Sequence, residues 1–156
     1  MAVCGAPLSQ GREGDARAAL AAARGIRARI ASLNEVLTRE GAPRVRLRLG
    51  LHSGWVLAGS LGSRDRWEYG VIGDAVNCAA RLVALPGSPM AEGCRILISA
   101  LSRDLAGAGA NGSGSGGLES GGEGGAESGG EGGDSGRCWG AVSLHGRQQR
   151  EEIWEV

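Results

Sequence analysis

The chain contains no lysine and no phenylalanine. All 17 basic residues are therefore arginine. Aromatics make up only 3% of the 156 residues, so a core must be built from Leu, Ile, Val and Ala. No run of about 18 apolar residues occurs, so no segment reads as a membrane-spanning helix. The N-terminus lacks a basic stretch followed by an apolar one, so no signal peptide is visible. A membrane anchor would have to lie in upstream sequence. None of the four cysteines, Cys4, Cys78, Cys94 and Cys138, forms a C-x-x-C pair. No histidine stands at zinc-ligand spacing from them. They read as reduced thiols in a cytosolic environment.

Formal net charge is zero, but unevenly built. Residues 107–136 hold five acids (Glu119, Glu123, Glu127, Glu131, Asp134) and no base, which leaves the remainder with an excess of five positive charges. That bias suits an anionic ligand and is too weak to argue for nucleic acid. The length suits one domain of ordinary size.

"MAVCGAP" reads as the strand-like end of an element, closed by a turn. From about Asp15 to Glu40 the pattern is helical. Leu20, Ala23, Ile26, Ile30, Leu33 and Leu37 recur at spacings of three and four and make one apolar stripe. Asp15 is the expected N-cap, and Gly41 with Pro43 the stop. Gly25 inside this helix costs roughly 1 kcal/mol relative to Ala. "RVRLRLGL", Arg44 to Leu51, alternates as a half-buried strand, with Arg44, Arg46 and Arg48 on the face away from the core. "WVLAGSLG" is a second strand. A loop and a strand then lead into a helix over Asp74–Leu85, with Asp74 as its N-cap. "CRILIS" is a strand, "ALSRDL" a short helix, and "CWGAVSLHG" with "EEIWEV" a closing hairpin. The order predicts an α+β fold, with helices over one face of a largely antiparallel sheet.

Fifteen of the 30 residues in 107–136 are glycine, and two octapeptides stand in tandem, "ESGGEGGA" and "ESGGEGGD". So Gly-rich and acidic a segment buries too little to offset its ordering entropy, which predicts a disordered insertion. It divides the domain into 1–106 and 137–156.

The most informative stretch is "GVIGDAVNCAARL", Gly70 to Leu82. It sets the amide of Asn77 and the guanidinium of Arg81 four residues apart, on one helix face. Together with "LRLGLHSGWVLAGSLGS", "ILIS" and "LHG…EEIWEV", in this order, it resembles the class III nucleotide cyclases, the adenylate and guanylate cyclase catalytic domains. The resemblance runs from Met1 to Val156 around the Gly-rich insertion.

The resemblance implies a ferredoxin-like α+β cyclase fold, here incomplete. It implies a homodimer or heterodimer with another cyclase domain, and an active site at the seam. There the ribose 3′-hydroxyl of ATP or GTP attacks the α-phosphorus and expels pyrophosphate, giving cyclic AMP or cyclic GMP for intracellular signalling. Asn77 and Arg81 match the family's catalytic Asn and Arg. Asn77 would bond near the ribose oxygen, and Arg81 would neutralise charge growing on the α-phosphate. Gly70 matches a base-reading position, with Val71 beside it, and a glycine has no side chain with which to read a base. Arg147 matches a basic residue that contacts the terminal phosphates, and His145 stands where that loop often carries another cation. The family's two Mg2+ or Mn2+ ions are held by two Asp residues in segments that would precede Met1, and Asp65, Asp74 and Asp134 do not replace them. Two readings follow. One is part of an active cyclase, on the cytoplasmic side. The other is a cyclase-like partner without metal ligands, and the chain by itself is expected to be inactive.

Plainer readings stand beside these. Asn77 and Arg81 are either catalytic or an ordinary helix amide and a solvated cation. His52 reads as a strand-end residue with its ring hydrogen-bonded. Trp55 and Trp67 line either a dimer face or a core short of aromatics.

Overall fold

A computed structural model describes residues 1–63, 66–87, 93–107, 136–143 and 150–156. The Gly-rich stretch, except its two end glycines, lies outside these residues, as do Asp65, His145 and Arg147. The elements are α1 (Arg12–Arg39), β1 (Leu47–Leu51), β2 (Leu57–Ser63), β3 (Arg66–Ile72), α2 (Asp74–Ala84), β4 (Cys94–Ser99), α3 (Ala100–Leu105), β5 (Arg137–Ser143) and β6 (Arg150–Glu155).

The main sheet has the order β1-β4-β6-β5. Within it β1 runs parallel to β4, and the other two pairings are antiparallel. Strands β2 and β3 form a separate antiparallel hairpin, with Leu57 opposite Ile72 and Gly59 opposite Gly70. Residues 1–7 form no strand.

The sheet is covered on both faces, not on one. Cys94 and Ile96 of β4 pack with Ala23 of α1, joined by Leu47, Leu49 and Leu51. Leu97 of β4 and Ile153 of β6 pack with Cys78 and Leu82 of α2. Successive strand residues point to opposite faces, so α1 and α2 lie on opposite sides. The parallel pair explains the arrangement: a chain that returns from β1 to a parallel neighbour must cross a face of the sheet, and α2 lies on that crossover. With both faces occupied, every residue of β4 is buried.

The buried line of α1 is Ala16, Leu20, Ala23 and Asn34, with Ile30 packed beside it. Ile26 and Leu33, expected in the stripe, are exposed. Asn34 takes an inward place because its amide closes both polar groups of Val45. Its Nδ2 donates to the Val45 carbonyl at 2.9 Å, and its Oδ1 accepts from the Val45 N–H at 2.7 Å. This contact also explains why the strand expected from Arg44 begins only at Leu47. Val45 is tied to the helix, and the ladder starts with Leu47.

The helix starts differ from the expected caps. Helix α1 begins at Arg12, and Asp15 lies in its first turn, accepting from Ser9 Oγ and from the Gln10 N–H. Those bonds pull the Asp15 carboxyl below its usual value, the Ser9 bond most. Gly73, not Asp74, is at the N-cap of α2, with no side-chain cap. Asp74 is the first helical residue, and its Oδ2 accepts from Cys78 Sγ at 3.8 Å. Gly41 does close α1, with φ 70°, in the left-handed region that favours glycine.

Candidate active site

Helix α2 buries Ala75, Cys78 and Leu82, spaced at three and four. That sets which way the rest of the helix looks. Asn77 is exposed and Arg81 half-buried. The two stand one turn apart, beside the buried stripe. The start of α2 is fixed by close packing. A Cβ on Gly73 would lie 2.9 Å from the Trp55 carbonyl oxygen, and one on Gly54 would lie 2.8 Å from Ala75 Cβ. Either side chain would push the helix away from the segment that follows β1.

The electrostatic feature of α2 is Arg81. Its Nη1 is buried and has no hydrogen-bond partner among the described residues. Buried N–H groups are almost always paired, and leaving one unpaired costs about 1–3 kcal/mol. Asn77, by contrast, presents its amide to solvent, as an adaptable contact would.

Gly70 and Val71 are half-buried in β3, three to four residues before α2. Gly70 faces Gly59 across the hairpin, and at Gly59 a Cβ would meet nothing within 4 Å. The two glycines thus form a flat stretch of backbone leading to α2. Hairpin and helix are consecutive, so Gly70, Val71, Asn77 and Arg81 belong to one continuous unit. The side chain of Trp67 lies outside the described residues, while Trp55 is 90% exposed. His52 behaves as expected of a strand-end residue: its Nδ1 is 2.9 Å from Ser99 Oγ. A surface groove lined by Gln10, Arg12, Glu13, Arg17 and Leu105 lies at the start of α1 and contains none of the predicted site residues.

Among the described residues no three His, Cys, Asp or Glu side chains come together to hold a metal ion. Sequence reasoning also passed over Arg95, a buried cation on β4. "CRILIS" looks like an apolar strand, and the partners of Arg95 lie in other elements.

A family model described as the adenylate and guanylate cyclase catalytic domain matches residues 1–102. The chain belongs to that family. The match covers β1, the hairpin, α2 and β4, and stops before the last two strands of this cyclase domain. Two uncharacterized proteins of Mycobacterium tuberculosis are 43% and 40% identical to it, over 88 and 111 residues; these cover 56% and 71% of this chain and 15% and 17% of theirs. Adenylate cyclase 1 of Rhizobium meliloti is 35% identical over 83 residues, 52% of this chain and 12% of its own. The cyclase domain described here thus spans less than a fifth of the length of these relatives.

Two solved structures share the fold. The adenylyl cyclase CyaB from P. aeruginosa superposes with a TM-score of 0.69 at 23% identity, covering 98% of this chain and 64% of its own. The guanylyl cyclase Cya2 gives 0.64 at 24% identity, covering 98% and 62%. The α+β cyclase fold is therefore that of the chain. One neighbour is named for each purine, so the fold alone does not choose between them.

Proposed function

We propose that this domain supplies the Asn77–Arg81 half of a nucleotide cyclase site, completed by a second cyclase domain. The ribose 3′-oxygen of ATP or GTP bonds to the α-phosphorus as the bond to the pyrophosphate oxygen breaks. The hydroxyl's proton passes to water, and the products are cyclic AMP or cyclic GMP and pyrophosphate. Asn77 donates to the ribose oxygen and holds the sugar for attack. Arg81 donates to the α-phosphate as charge grows there. Val71 lines the nucleotide beside Gly70, and Arg147 contacts the terminal phosphates. No residue described here holds a metal in this scheme.

The observation that carries the proposal is the unpartnered Nη1 of Arg81. A donor left unsatisfied in the folded chain, next to an exposed amide, is a donor waiting for an acceptor. A phosphate that reaches this donor would give it the acceptor that the folded chain does not. A second observation supports the partner domain. Among the described elements, neither β2 nor β3 packs extensively on anything but the other. Yet the hairpin and its approach expose Trp55, Leu57, Tyr69 and Ile72. An isolated two-stranded hairpin is marginal in water, and an exposed apolar group of this kind is a contact surface. It runs directly into α2, so a domain docked there would border Asn77.

The test mixes this chain with a cyclase domain that keeps its metal-binding carboxylates but lacks its own Asn and Arg. Cyclic nucleotide formation is expected from the mixture and from neither part alone. Arg81→Ala should reduce it by roughly 10²–10³. Equal activity with Arg81→Ala would overturn the assignment. A second reading is an inactive cyclase-like partner. That reading predicts a stable mixed dimer with no turnover.

A further inference from the structure

Arg95 lies on β4 and is only 4% exposed. Its guanidinium covers the ring of Trp139 on β5, 4.2 Å from the centroid. Its Nε stands 3.7 Å from Glu155 Oε2 on β6, the oxygen that also accepts from Trp139 Nε1 at 2.9 Å. Its Nη1 donates to the carbonyl of Leu85 at 3.3 Å. Leu85 is the C-cap of α2. Gly87, two residues on, packs so closely on the guanidinium that a side chain there would collide with it. One buried cation therefore joins three strands to the end of the helix that carries Asn77 and Arg81.

As a stabilising device the arrangement is poor. Burying a charge is costly, and an apolar side chain of similar volume often replaces a buried ion pair at no loss of stability. Among the described residues, Nε and Nη2 of Arg95 have no hydrogen-bond partner. What an apolar side chain cannot do is hold the Leu85 carbonyl, lie flat on Trp139 and face Glu155 together. A cation at a helix C-terminus also sits favourably in the helix dipole. These are the properties of a locator.

We propose that Arg95 is a positioning residue for α2. It pins the end of the helix to the sheet and so sets where Asn77 and Arg81 stand. The proposal rests on the reading of α2 as the catalytic helix.

The experiment compares wild type, Arg95→Met and Arg95→Lys by amide hydrogen exchange on the whole chain, and by turnover in the mixture described above. For Arg95→Met, exchange in the last turn of α2 should rise while β4 and β6 keep their protection. Turnover, kcat, should fall roughly 10- to 100-fold at unchanged KM, because a small displacement of reacting groups is that costly. Arg95→Lys, which can still reach the Leu85 carbonyl, should recover part of both. Unchanged exchange in α2 would overturn the proposal, and so would loosened α2 with normal kcat. A wild-type mixture without turnover would count against the catalytic reading instead, and the exchange data alone would then decide whether Arg95 locates α2. Loss of protection across all strands in both variants would make Arg95 a general stability residue and also overturn the proposal.

Discussion

Gly50 of β1 lies directly beneath Ala79 of α2: a Cβ at position 50 would come within 2.5 Å of the Ala79 carbonyl oxygen and 2.9 Å of Leu82 Cβ. Backbone cannot yield as a flexible side chain does, so the helix would have to lift. Gly50→Ala is expected to cost about 1–3 kcal/mol, the usual penalty of overpacking. Chemical denaturation measures it. A variant as stable as wild type would show that α2 does not seat on β1 in this way.

Asn34 is fully buried and serves both backbone groups of Val45. Asn34→Leu keeps the branched shape and the number of side-chain heavy atoms and removes both bonds. The expected loss is about 1–3 kcal/mol, read as a lower denaturation midpoint at constant slope.

Gly25 stands in α1, exposed, with nothing within 4 Å of an added Cβ. Its helical conformation suits alanine. Gly25→Ala should therefore stabilise the chain by about 0.4–1 kcal/mol, through a less disordered unfolded state. Thermal melting tests the sign directly.

Burial pushes the Cys94 thiol up, opposed in part by the Arg27 charge. Between the ordinary thiol value and the raised one, the folded chain keeps a proton that the unfolded chain has lost. That contribution to stability is whole below the ordinary thiol value and is lost as pH rises through the raised one. Cys78 is buried, while Cys4 and Cys138 are exposed. At about pH 8, near the ordinary thiol range, alkylation followed by mass spectrometry should label Cys4 and Cys138 quickly. Cys78 and Cys94 should react only after unfolding.

Local pattern carried most of the element order. The apolar spacing of α1, the Gly41 stop and the alternation of β1 are short-range signals, and both elements appear, β1 later than its pattern begins. The Asn77–Arg81 pair was legible because helical spacing alone puts i and i+4 on one face. Side-chain bonds outside the helical and strand spacings were not legible. Nothing local says that Asn34 will capture Val45 and delay β1, or that Asp15 will turn back to Ser9 and Gln10. The second covered face of the sheet had one local trace, Gly50, a glycine in a strand where a helix approaches closely. Arg95 had none, because its partners Leu85, Trp139 and Glu155 come from three separate segments.

The central claim is that Arg81 holds a donor meant for a nucleotide phosphate rather than for the fold. Replacing it with methionine separates the two roles, since the variant deletes an unpaired buried N–H and keeps the bulk of the side chain. Melting temperature and cyclic nucleotide formation should be measured together on Arg81→Met, the latter in the mixed assembly. The account predicts a melting temperature equal to or above that of wild type, with turnover down by roughly 10²–10³. A melting temperature lowered by several degrees, with turnover intact, would contradict it.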